Sequence, residues 1–74
     1  MDMTAYLGKK VDVITNDGCT TGYVYDVLDS EESDIGKDCV DIALLDREAI
    51  VEIAIDDIIK VDVDESYPLY NFQM

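Results

Sequence analysis

Histidine and tryptophan are absent from this chain, proline occurs once, and only five residues are basic. Without histidine, imidazole acid-base catalysis and imidazole metal ligation are both excluded. The apolar residues never run on for the roughly 18 positions that a membrane-spanning helix needs. Two cysteines, Cys19 and Cys39, are too few for a disulfide framework and do not form a C-x-x-C pair, so both are expected as reduced thiols. The start, Met1-Asp2-Met3-Thr4, is acidic where a secretory leader is basic, which leads to the expectation of a cytoplasmic protein without membrane contact.

Acid fills the space left by base. Eighteen Asp and Glu against five Lys and Arg give a net charge of −13 over 74 residues. A polyanion of this size repels nucleic acid at long range, so a nucleic-acid partner is not expected. The 49% apolar content still describes a folded chain, of a length that holds one domain with a thin core. Thin cores gain from a covered surface, which makes a homo-oligomer or another protein partner the expected association.

The apolar residues fall at every second position in segment after segment, the period of strands. Thr4 to Gly8 can form one helical turn, with Thr4 as its cap and Gly8 as its end. From Lys10, Val11 and Val13 alternate with Asp12 and Ile14. Asn16-Asp17-Gly18 then marks a hairpin, since these residues most readily take positive φ. A second strand is expected from about Thr20 to Leu28, with Gly22 marking a bulge or bend. Val40, Ile42 and Leu44 alternate in a third strand, stopped at Asp46-Arg47-Glu48. Ile50 to Ile55 make a fourth, Asp56-Asp57 a corner, and Ile59, Val61 and Val63 a fifth. Five short antiparallel strands in so few residues predict an all-β, strongly bent sheet closed into a small barrel. The domain is drawn at residues 1–66, followed by an aromatic tail at residues 67–74.

Carried by Tyr6-Leu7-Gly8-Lys9-Lys10-Val11-x-Val13, Asp17-Gly18, Gly22-x-Val24, Val51-x-Ile53 and Asp57-Ile58-x-x-Val61, the chain resembles an Sm-like (LSm) domain. That resemblance implies a short amino-terminal helix, a five-stranded bent barrel, and rings in which the fourth strand of one subunit pairs with the fifth of the next. It also implies RNA binding as an alternative function. The family's RNA contacts, however, use Asp-x-x-x-Asn after the second strand and a basic residue with Gly at the last corner. Here those positions read Asp26-Val27-Leu28-Asp29-Ser30 and Ala54-Ile55-Asp56-Asp57, and the gap from Gly18 to Gly22 is one residue short of the family's habit. A second resemblance, to PRC-barrel interaction domains, rests on Leu7-Gly8-Lys9-Lys10 and Asp17-Gly18-x-x-x-Gly22-x-Val24-x-Asp26-Val27.

The chemistry-bearing clusters have plainer readings. Asp29, Glu31, Glu32, Asp34 and Asp38 crowd one loop, yet a calcium loop begun at Asp29 would place Asp34 where Gly is required and Val40 where Glu is required. The loop reads as solvated, with a weak divalent-cation site as its alternative. Asp56 and Asp57 could join Asp26 as catalytic carboxylates, but aspartates at a corner ordinarily bond the backbone. Tyr23 and Tyr25 could stack bases, but have no adjacent cation to hold phosphate, which favours packing. If strands two and three pair around residue 33 or 34, Cys39 faces Leu28. Cys19 then lies on the order of 30 Å away, far beyond disulfide reach. No enzyme, cofactor or metal is expected. The candidate contact residues are the surplus apolar positions Ile14, Leu45 and Ile50 and the tail residues Tyr67, Leu69, Tyr70 and Phe72.

Overall fold

A computed structural model describes residues 2–69. The chain opens with a single 3-10 turn, Met3–Tyr6, whose cap is Asp2 and not Thr4: the Asp2 carboxylate accepts from the Thr4 N–H at 3.0 Å. Gly8 leaves the turn at φ 78°, a left-handed conformation that glycine reaches without strain. Five strands follow, β1 (Lys10–Thr15), β2 (Gly18–Leu28), β3 (Cys39–Leu44), β4 (Ile50–Ala54) and β5 (Ile58–Val63). They form one antiparallel sheet in the order β4, β3, β2, β1, β5.

The hairpin expected at Asn16-Asp17-Gly18 joins β1 to β2, with Thr15 opposite Gly18. Positive φ falls on Gly18 alone, at 137°, while the Asp17 N–H donates to the Thr15 hydroxyl at 3.2 Å. Gly22 marks a close approach and not the bulge. A Cβ there would stand 2.2 Å from the carbonyl oxygen of Ala43, so only glycine lets β2 lie this near β3. The bulge comes three residues later, where the β2 to β3 register shifts between Val24 and Asp26 and leaves Tyr25 as the extra residue. A second irregularity, between Ile14 and Thr15 on the β1 side, leaves Ile59 unmatched on β5.

The inner face is the apolar one. Val11 and Val13 of β1, Val24 of β2, Val40 and Ile42 of β3 and Ile53 of β4 meet Met3 in a single buried cluster, with Val61 and Val63 of β5 packed against it. Each large side chain so buried contributes about 1.5–3 kcal/mol against leaving it in water.

All-β architecture is as expected, but the closed barrel is not formed: the sheet is open, with β4 and β5 as its two edges. Its curvature comes from chain length. Laid flat, five strands would separate β4 from β5 by four spacings, about 19 Å. One 3-10 turn, Ile55–Asp57, makes the whole connection, and at about 2 Å of rise per residue its 3 residues span about 6 Å, roughly a third of that. The sheet must therefore curl until its edges approach at this end, where the fourth strand stops at Ala54 and the fifth begins at Ile58.

Candidate functional site

Strand pairing alone decides where backbone groups remain open. β4 pairs only with β3 and β5 only with β1, so each offers one edge of N–H and C=O groups to a further strand. Apolar side chains accompany both edges. Ile50 on β4 is 52% exposed and Ile59 on β5 is 60% exposed, well above what an aliphatic side chain has on an inner face. Ile59 lies in the expected fifth strand, but its exposure depends on the irregularity beside Thr15, which no periodicity announces.

The other expected contact residues are dispersed. Ile14 is half-buried on the outer face, between Cys19 of β2 and Lys60 of β5. Leu45 is exposed in the turn that follows β3, close to Ile50 in chain order but not in β4. Tyr67 packs on its own domain, its ring edge-on to Tyr23 with centroids 6.4 Å apart and 5.0 Å from the Lys10 ammonium. Leu69 is 68% exposed. Tyr70 and Phe72 lie outside the described residues.

Lys10 is unremarkable in the sequence and is the one buried charged side chain among the described residues. Its ammonium lies 3.4 Å from Asp64 and 3.9 Å from Asp12. The backbone supports the same corner, for the Asp64 N–H donates to the Lys10 carbonyl at 2.9 Å. Hydrogen bonds from the Ser66 hydroxyl and N–H, and then the Lys10 ammonium, hold the Asp64 carboxyl below its ordinary range. Opposite charges thus tie the start of β1 to the segment leaving β5.

Acids behave differently in the neighbouring row. The register sets Asp26 of β2 opposite Asp41 of β3, and Asp41 opposite Glu52 of β4. Partial burial, and then the charges of Glu52, Asp26 and Asp34, push the Asp41 carboxyl upward. The sequence conceals this row, since three acids at unrelated spacings become neighbours only once two strand registers are known. Asp26 consequently stands with Asp41 and Glu52 and not as the partner of a catalytic pair at Asp56 and Asp57, which occupy the 3-10 corner.

The acidic loop spends its polar groups on its own backbone. Asp29 accepts from the N–H groups of Glu31 and Glu32 at 3.0 and 2.9 Å, and Ser33 bonds both the N–H and the carbonyl of Lys37. No group of three candidate ligands placed to hold a metal ion occurs among the described residues. Leu28 and Cys39 are opposite one another, as the expected hairpin requires. Both cysteines are free, Cys19 exposed and Cys39 buried. Burial raises the Cys39 thiol above its ordinary value, and its Sγ donates to the Lys37 carbonyl at 3.1 Å, a combination that makes it inert.

No helix among the described residues is long and apolar enough to cross a membrane. Comparisons with family models, with curated proteins and with solved structures find no match to the chain in any of the three.

Proposed function

We propose that the chain is a non-enzymatic Sm-like interaction module that self-associates through its sheet edges, the free side of β4 on one copy adding to the free side of β5 on the next. The observation that carries this reading is the strand order, which leaves these two strands outermost, each with an exposed isoleucine beside its open backbone. Antiparallel addition would satisfy both rows of peptide groups and cover Ile50 and Ile59 together. Copies joined in this way meet head to tail, so the assembly closes into a ring if the rotation between neighbours allows it.

Charge argues against the alternative of RNA binding. Asp56 and Asp57 are exposed at the corner between the outer strands, and the Lys10 ammonium is already engaged by Asp64, Asp12 and Tyr67. Light scattering after gel filtration at tens of micromolar tests the proposal. A mass several times that of one chain is expected, and Ile59→Asp on β5 should return the protein to monomers. A strict monomer at that concentration would reject edge pairing, and oligonucleotide capture at ordinary salt would favour the RNA reading instead.

A further inference from the structure

The two open strands run in the same direction, because every neighbouring pair in the order β4, β3, β2, β1, β5 is antiparallel and four such steps separate the first from the last. For β5 of one copy to lie antiparallel on β4 of the next, the incoming copy must be turned over about an axis across the strands. Its outer face then continues the inner face of β4. Residues directly opposite one another share a side of the sheet, so Lys60 and Asp62, on the outer side of β5, come opposite Val51 and Ile53, on the inner side of β4. Among the registers this allows, one covers β4 from end to end with strand residues alone, Ile59 to Val63 against Ala54 to Ile50. It sets Lys60 opposite Ile53 and Asp62 opposite Val51.

The surroundings of β4 fit those two charges. Val51, Glu52, Ile53 and Ala54 line a groove, and consecutive strand residues present both faces, so the groove follows an edge. β3 covers the other edge, which makes this the open one. The far wall comes from the hairpin between β1 and β2 and from the 3-10 corner, where Asp17 and Asp57 are both exposed. Among the described residues no base lines this groove. A neighbouring hollow shares Thr20 and Val51 with it, lies toward the start of β4 and contains Arg47, 3.5 Å from Asp46. Of the five basic residues, Lys60 is the one borne on an open strand, its side chain 65% exposed and 3.5 Å from Asp62. In the antiparallel register Lys60 falls at the acidic end of the edge and Asp62 at the end near Arg47. A parallel partner would keep both charges on the outer face, away from the groove.

We infer that the groove beside β4 receives Lys60 of a second copy of the chain, facing Asp17 and Asp57, while Asp62 of that copy meets Arg47, and that these charges fix the sense and register of the contact. The inference rests on the edge pairing proposed above and adds the residues that direct it. Light scattering over a dilution series of the full chain tests it with two charge reversals at exposed positions, Lys60→Glu and Asp57→Lys, each first shown to keep the wild-type circular dichroism. Either variant alone places like charges in every contact and should need about tenfold more protein than the wild type to assemble. Lys60→Gln, which removes the charge without reversing it, should lie between. An equimolar mixture of the two reversals should assemble at nearly the wild-type concentration, since the reversed charges then meet each other and the alternate contacts are native. Variants that assemble like the wild type, or a mixture no better than its components, would overturn the groove's role while leaving edge pairing intact. A wild type that stays monomeric throughout the series would reject edge pairing, and this contact with it.

Discussion

Two rows on the outer face of the sheet, separated by the bulge at Tyr25, place charge in opposite ways. In one, Lys10 enters the structure almost completely, meets Asp64, Asp12 and the ring of Tyr67, and joins the beginning of β1 to the residues after β5. In the other, Asp26, Asp41 and Glu52 face one another across three strands with no cation among them. A chain so short of base uses its most buried ammonium to fasten two distant segments and tolerates like charges where water still reaches. The count of acids thus says less about stability than the register that makes neighbours of them.

The approach of β2 to β3 underlies both rows, so the largest effect is expected at Gly22. Gly22→Ala puts a Cβ against the Ala43 carbonyl and should cost about 3 kcal/mol, read as a fall in the midpoint of urea unfolding. A change under about 0.5 kcal/mol would show that the strands separate there at little cost. Next comes the fastened corner. Lys10→Ala removes a buried stem and ammonium and should cost about 2 kcal/mol, with loss of the Tyr67 ring contact visible in its tyrosine fluorescence. Retention of full stability would mean that the corner is held by its backbone bonds alone.

The unpaired row should answer in the other direction. Asp41→Asn keeps the shape and removes the central charge, and is expected to stabilise the fold by about 0.5 kcal/mol once solvent screening is allowed for. The pH dependence has the same origin. The folded Asp41 carboxyl is raised above its ordinary 3.8, so its cost is present in full at neutral pH and is relieved as pH falls through the raised value. Asp64, lowered in the fold, acts oppositely: its contribution is present above the ordinary value and is lost only as pH falls through the still lower folded value. Mild acidification should therefore stabilise the native protein slightly before stronger acid destabilises it, and Asp41→Asn should remove the first of these phases. An unchanged first phase in Asp41→Asn would assign it to another carboxylate.

Much of the sheet is legible in the sequence because its signals are local. Val11 with Val13, Val40 with Ile42, and Ile53 show the inner face at period two, and Asp17-Gly18 shows the first hairpin. The corner at Asp56-Asp57 is legible for the same reason. The hidden features depend on residues far apart in the chain. Lys10 meets Asp64 across 54 positions, and nothing beside Lys10 in the sequence announces its burial. The sequence points to a bulge or bend at Gly22, where the sheet instead has a close approach and carries its bulge at Tyr25, since a glycine in a strand signals a bulge, a bend or a close neighbour and only the packed sheet distinguishes them. Barrel closure is overestimated on similar grounds: alternation reveals that five strands share one face but not whether the first and last partners join. Among the contact residues, Ile50 stands out in the sequence as a surplus on a polar face, whereas Ile59 has the pattern of an ordinary strand position.

Hydrogen–deuterium exchange of the backbone amides in β4 and β5, followed at two protein concentrations a hundredfold apart, tests the proposed edge pairing most directly. Amides on the free sides of both strands should become protected together as concentration rises, while those of β1 and β2 are unchanged. Exchange in β4 and β5 that is independent of concentration would contradict it.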